Sequence, residues 1–148
     1  MEVDKVEIRI MKVSDYEKAF TLWSATDGMG LRSLDDSKEG ISKFLIRNPN
    51  TNFICRIDGQ VVGVILCGHD GRRAYIYHAV VSKTYRGRGL GKALLDKVIE
   101  AVSNEGIHKI ALVVYENNQV GNDFWSGQGF DLRDDLNYRN RSINTQNI

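Results

Sequence analysis

The residues best able to do chemistry gather between Tyr75 and Leu95, YIYHAVVSKTYRGRGLGKALL. There a β-branched and aromatic stretch runs through Arg86-Gly87-Arg88-Gly89-Leu90-Gly91 into an amphipathic pattern. A strand, a glycine-dense turn and a helix in that order make an anion cradle. Glycines let the backbone curl without Cβ clashes, so successive N–H groups, including the unpaired ones of the first helical turn, converge on one point. The helix dipole also favours negative charge at that point, so the expected ligand is a phosphate or pyrophosphate.

Spacing narrows which phosphate ligand. A nucleotide-hydrolase loop needs a glycine five residues before Gly91 and a hydroxyl after Gly91-Lys92, but Arg86 and Ala93 stand there. A dinucleotide fingerprint needs a third glycine at position 92 or 94, which hold Lys92 and Leu94. Neither motif is present.

What remains is Arg-x-x-Gly-x-Gly, Arg86 to Gly91, after a strand and before a helix. It resembles the acetyl-CoA pyrophosphate loop of the GNAT superfamily of N-acetyltransferases. Ala79-Val80-Val81 resembles the strand beside the pantetheine arm, and Leu94-Leu95 the apolar helix face behind the loop. Further on, Asn118 opens NQVGNDFWSGQGF, which resembles the second family signature, with Gly121 at its Ala position and Trp125 at its Tyr position. The resemblance runs from Ile8-Arg9 to Phe130 and includes the subfamily near ribosomal-protein alanine acetyltransferases. It implies direct attack of a substrate amine on the acetyl thioester.

By that resemblance, backbone N–H groups of Arg88, Gly89, Gly91 and Lys92 hold the pyrophosphate, within a loop that Arg86, Gly87 and Leu90 complete. The Ala79 N–H polarises the thioester carbonyl, and the main chain at Val80 and Val81 lies along pantetheine. Asn118 reaches the same arm or caps the helix after it, two compatible roles. Trp125 cannot protonate the departing thiolate as the family tyrosine does, because an indole has no proton near the required pKa. It is expected to wall the acyl or substrate pocket.

The proton acceptor is open. Tyr75 and Tyr77 are expected to alternate onto the face of Ala79, whereas His78 points to the other face and reads as a core or hydrogen-bonded residue. Glu116 is a carboxylate placed to act as base, or a solvated strand end, and water can also take the proton. The stretch from Trp23 to Asp36 is the candidate acceptor loop, with Trp23, Met29 and Leu31 as apolar contacts and Asp27, Asp35 and Asp36 for a cationic amine. The arginines of His69-Asp70-Gly71-Arg72-Arg73 fit a polar hairpin turn better than an acidic-substrate site.

Composition sets bounds. At 148 residues and 42% hydrophobic content the chain can bury one core. Its 20 Lys+Arg against 19 Asp+Glu give a net charge of +1, so neither nucleic acid nor an anionic membrane is an expected partner, although Arg72, Arg73, Arg86, Arg88 and Lys92 could form a local basic patch. No apolar run reaches the length of a membrane span, and the amino terminus lacks a secretory pattern, which points to the cytoplasm. Cys55 and Cys67 read as reduced core thiols, with Cys55 opposite about Val62 across a hairpin, and no Cys/His spacing suggests a metal.

Periodicity orders the elements. Val6-Ile8-Ile10 predicts a strand, and Ser14-Asp15-Tyr16-Glu17 predicts a capping box opening a helix to about Ser24. A second helix from about Ser37 carries Ile41, Phe44 and Leu45 on one face and stops at Asn48-Pro49-Asn50. Strands are expected at Phe53–Ile57, Gln60–Cys67 and Ala74–Val81, then a helix to Asn104, a strand at Lys109–Tyr115 and a helix at Gln119–Trp125. A last pair of strands is expected near Phe130 and Tyr138, and 144–148 as a frayed polar tail after a single domain of residues 1–143. The fold class is α+β, a mixed, largely antiparallel sheet flanked by helices. The expected activity is acetyl transfer from acetyl-CoA to a primary amine, alone or as a homodimer. The alternative is a non-catalytic acyl-CoA sensor.

Overall fold

The structure, a computed structural model, describes residues 5–148; residues 1–4, on which the reading of the amino terminus rests, lie outside it. Strand β1 (Val6–Ile10) is followed by helices α1 (Tyr16–Ser24) and α2 (Lys38–Arg47). The meander β2 (Phe53–Ile57), β3 (Gln60–His69) and β4 (Ala74–Val81) comes next, then α3 (Leu90–Asn104), β5 (Ile110–Ala111) and α4 (Gln119–Gly127). The strands form one sheet in the order β1-β2-β3-β4-β5, in which β4 and β5 are parallel and the other neighbours antiparallel. This is the α+β layout expected from the sequence.

The sheet buries both faces. Against one face α3 packs Leu90, Leu94, Leu95, Val98 and Val102 onto Cys55, Ile65, Cys67 and Ile76. On the other, Ala19 and Trp23 of α1 and Ile41 and Leu45 of α2 cover Ile54, Val64, Leu66 and Val80. Each aliphatic side chain so buried contributes about 1.5–3 kcal/mol relative to exposure. Both cysteines are buried and free, and burial pushes the Cys67 thiol up to about 12, which makes it an inert core residue. A register shift between Cys55 and Arg56 sets Cys55 opposite Gly63 rather than Val62.

Several local expectations are corrected. The first helix opens without a Ser14 cap: Val13–Asp15 is a 3-10 turn, and the Asp15 carboxylate accepts the Lys12 N–H at 2.8 Å while bridging Arg9. Asn48 stops α2 as expected and also receives the His69 N–H on its side chain. Beside it, Asn52 and Thr51 take the Cys67 N–H and donate to the Cys67 carbonyl at 2.7 and 2.6 Å. Strand β5 is two residues long, not seven, and no strand forms near Phe130 or Tyr138 among the described residues. Residues 146–148 are docked rather than frayed. The Ser33 N–H donates to the Ile148 carbonyl, and the N–H groups of Leu34 and Asp35 both donate to the Asn147 side chain at 3.0 Å.

Candidate functional site

Strand β5 leaves β4 almost as soon as it joins it. The parallel pairing consists of Ala74 with Ile110 and Tyr75 with Ala111, so the rest of β4 has a bare edge on that side. Which backbone groups face the edge follows from the ladder with β3. The Ser82 N–H donates to the Val62 carbonyl at 2.7 Å, which makes Val80 and Val64 the next hydrogen-bonded pair. Ala79 and Val81, one position out of phase, therefore turn their N–H and C=O groups away from β3 and into the gap. The Val81 carbonyl is taken by the Arg86 guanidinium, Nε to oxygen 3.0 Å. Unpaired strand groups beside a slot are what an extended amide-bearing chain would pair with.

The slot leads to the cradle. Gly87 and Gly89 have φ of +80° and +77°, left-handed values that favour glycine, and a Cβ on either would meet no protein atom within 4 Å. The first internal bond of α3 runs from the Ala93 N–H to the Gly89 carbonyl, so the N–H groups of Leu90, Gly91 and Lys92 precede the helix's own acceptors. Gly91 serves differently, because a Cβ there would stand 3.2 Å from the Phe124 ring: its bareness lets α4 pack against α3. The loop cations have protein contacts as well: Lys92 pairs with Asp96 at 2.8 Å, and the Arg88 guanidinium lies 5.0 Å from the centre of the Tyr85 ring. The first-turn N–H groups thus stand at the loop's centre and the cations at its rim.

A bulge in β4 takes Tyr75 and Tyr77 off the face of Ala79, where alternation expects them, while His78 stays opposite Ala79 as expected. Between Ile65↔Ala79 and Cys67↔Ile76, β3 advances two residues and β4 three. Two consecutive residues, Tyr77 and His78, consequently share the α1/α2 face: Tyr77 meets Phe44 and Tyr75 edge-on or tilted, and His78 lies on Trp23 with ring centres 5.1 Å apart. Ala79 is out of phase with this group. His78 Nε2 lies 2.7 Å from Asp36 Oδ1, and the Arg32 N–H bonds Asp36 Oδ2 at 2.7 Å. Burial pushes the Asp36 carboxyl up, but the hydrogen bonds from the His78 ring and the Arg32 N–H outweigh it and hold the group below the usual carboxylate range.

Other candidates fall in varied places. Trp23 is 0% exposed, a core support beneath His78 rather than an acceptor contact, whereas Met29 and Leu31 are half-buried at the edge of that core. Asp27 and Glu116 are exposed. Burial, followed by the neighbouring Tyr138 and Tyr77, raises the Tyr75 hydroxyl above the ordinary tyrosine range. Burial, Cys67, Asp35 and Tyr138 do the same for Tyr77, so both are donors rather than bases at neutral pH. Asn118 caps α4, its Oδ1 accepting the Gly121 N–H at 3.0 Å. Trp125 packs edge-on between Phe124 and Phe130 against the α3 core. A cavity of about 330 Å³ opens beside Asp36, with Tyr16, Phe20, Leu31, Arg32 and Ile148 in its wall. The sequence offers Asp36 as an amine contact but not its pairing with His78, which depends on where the loop folds over β4.

Comparison with known proteins agrees with this geometry. The model of the acetyltransferase (GNAT) family matches residues 14–130. An acetyltransferase of Pectobacterium atrosepticum is 34% identical over 115 residues, 78% of this chain and 80% of its own. Among solved structures, the PaiA N-acetyltransferase of Thermoplasma acidophilum in complex with coenzyme A superposes with a TM-score of 0.76 at 21% identity, covering 88% of this chain and 92% of that one. A ribosomal-protein-alanine N-acetyltransferase from Brucella melitensis superposes with a TM-score of 0.67 at 18% identity, over 93% of this chain and 100% of that one. A splayed β4 edge that ends in a glycine cradle, within a chain matched from α1 to Phe130, makes this protein a member of the GNAT acetyltransferase family.

Proposed function

We propose that the protein is an N-acetyltransferase that moves the acetyl group of acetyl-CoA to a primary amine, on a small molecule or a protein amino terminus. The observation that carries this reading is the β4 edge at Ala79 and Val81, whose backbone groups turn away from β3, leading into the cradle of residues 87–92. Acetyl-CoA brings an activated acyl group and a pyrophosphate, and the residues present fit both. Gly87 and Gly89 leave open space beside the first-turn N–H groups of Leu90 to Lys92, where the pyrophosphate would lie. Ala79 and Val81 offer pantetheine amides a strand edge, and the Ala79 N–H is positioned to bind the carbonyl oxygen as charge develops on it. Removing one such donor costs about 3 kcal/mol of barrier in comparable acyl-transfer sites.

The Trp125 indole gives the leaving thiolate no proton, and the low basicity of a CoA thiolate leaves that step to water. The loop from Asp27 to Asp36 would contact the amine, with exposed Asp27 and Asp35 available to a cation. The reading carries a cytoplasmic site of action and, at a net charge of +1, no nucleic-acid partner. Exposed Val113, Leu132, Leu136 and Ile143 leave apolar surface for a homodimer. Among the described residues no helix is long and apolar enough to cross a membrane.

The indole at position 125 favours a second reading, an acyl-CoA sensor without turnover. Release of CoA from acetyl-CoA in the presence of a polyamine, an aminosugar and an alanyl peptide separates the two. Turnover with acetylated product is expected; tight binding of acetyl-CoA with no turnover on any amine would establish the sensor.

A further inference from the structure

We propose that His78, oriented by Asp36, accepts the proton of the attacking amine; this deepens the amine-acetylation reading and rests on it. His78 adjoins Ala79, the residue whose N–H faces the slot, so its ring is carried by the same strand at the point where the acetyl group would sit. The bulge at Tyr77-His78 turns that ring to the α1/α2 face, whereas the cradle lies at the start of α3 on the other face. An amine attacking a thioester must come from the side the cofactor does not fill, and that is the side His78 occupies. The loop between α1 and α2 spans this side: a Cβ on Gly30 would lie 3.5 Å from the Tyr115 hydroxyl, just beyond β5, and the same loop brings Asp36.

The pair has the form of an oriented base. Asp36 is fixed by the Arg32 N–H on its other oxygen, its backbone carbonyl accepts the Tyr16 hydroxyl at 2.7 Å, and its carboxyl is held ionised. An ionised Asp36 places the proton on His78 Nε2, which leaves Nδ1 as the accepting nitrogen. The ring is clamped against Trp23, yet the side chain keeps 12% of its surface exposed. In the step itself the amine nitrogen bonds the acetyl carbon and the carbon–sulfur bond breaks. The electron pair leaves on sulfur as CoA thiolate, and the amine proton passes to Nδ1 and then to water. The charged or titratable groups that face the His78–Asp36 pair include Arg32 from the loop and Tyr16 from α1, both against Asp36. Alternation along β4 already sets His78 opposite Ala79, and the structure adds the Asp36 partner that the sequence does not show.

The test compares wild type, His78→Gln, His78→Ala and Asp36→Asn with acetyl-CoA and whichever of the polyamine, aminosugar and alanyl peptide the wild type acetylates. The expected result for His78→Gln is a kcat loss of about 100-fold or more, disappearance of the acidic limb of the kcat/KM profile, and an unchanged Kd for acetyl-CoA. Added imidazole should restore part of the rate in His78→Ala, and Asp36→Asn should lower kcat about 10-fold. If His78→Gln does not fold, the imidazole response and the Asp36→Asn rate decide. Wild-type turnover with near-normal kcat and an intact acidic limb in His78→Gln overturns the base alone. Wild-type binding of acetyl-CoA without turnover on any amine overturns the acetyltransferase reading together with the base.

Discussion

Gly89 and Gly91 stand two residues apart in the loop and answer to different requirements. Gly89 has a left-handed φ and open space where a side chain would go, so Gly89→Val should fill the phosphate position and oppose the turn. Acetyl-CoA binding, read by titration calorimetry, is expected to be lost with the fold kept. Gly91→Val instead drives side-chain atoms toward Phe124 and should also destabilise the fold by about 1–3 kcal/mol of overpacking, seen as a lower Tm. Glycine density could be read from the sequence, but which glycine bends the loop and which admits a neighbouring helix could not, because Phe124 is 33 positions away in the chain. Trp125 is a packing residue of the same α4 neighbourhood. Trp125→Phe should leave the shape of the pH-rate profile unchanged and alter kcat modestly, while weakening the contacts with Phe124 and Phe130.

The elements that alternate cleanly or carry turn residues, β1 to β4 and α2 to α4, follow from local pattern, since a half-buried strand and an amphipathic helix each mark their buried side. Three features do not. The β4 bulge inserts a residue without changing composition, β5 peels from β4 because nothing continues the pairing after Ala111, and residues 146–148 dock through contacts more than 100 positions away. The docking makes a prediction at this scale. Asn147 accepts from two successive N–H groups of the loop that carries Asp36 and donates to the Asp35 carboxylate at 2.9 Å. Asn147→Ala should free that loop and raise the acceptor KM about 3- to 10-fold, the loss of one to two net hydrogen bonds, with acetyl-CoA affinity unchanged. Steady-state kinetics with each substrate varied in turn would show it. If acetyl-CoA binding falls equally, the segment supports the whole fold rather than the acceptor loop.

At the scale of the whole molecule, the sheet separates two tasks. The α3 face carries the cradle, the α1/α2 face carries the His78–Asp36 pair and the proposed acceptor loop, and the slot at Ala79 joins them through the plane of the sheet. The α1/α2 side also carries an acid dependence. For Asp15, burial raises the carboxyl, but the paired Arg9 bonds at 2.8 and 2.9 Å and the Lys12 N–H outweigh it, so its folded-state value lies below the ordinary one, as does that of Asp36. A carboxyl lowered on folding contributes stability that is complete above its unfolded value and lost as pH falls through its folded value. Tm should therefore be flat in this respect above about pH 5 and fall below about pH 4, with Asp15→Asn reducing that slope while costing about 1–3 kcal/mol near neutrality.

The central claim is that the bare edge of β4 and the cradle of α3 together receive acetyl-CoA. A crystal structure of the protein with acetyl-CoA tests it directly. The expected density has the pyrophosphate on the N–H groups of Leu90, Gly91 and Lys92 and the pantetheine paired with Ala79 and Val81, with the thioester carbonyl oxygen within hydrogen-bond distance of the Ala79 N–H. Acetyl-CoA bound elsewhere on the molecule, with the Ala79–Val81 edge and the residue 87–92 loop unoccupied, would contradict it.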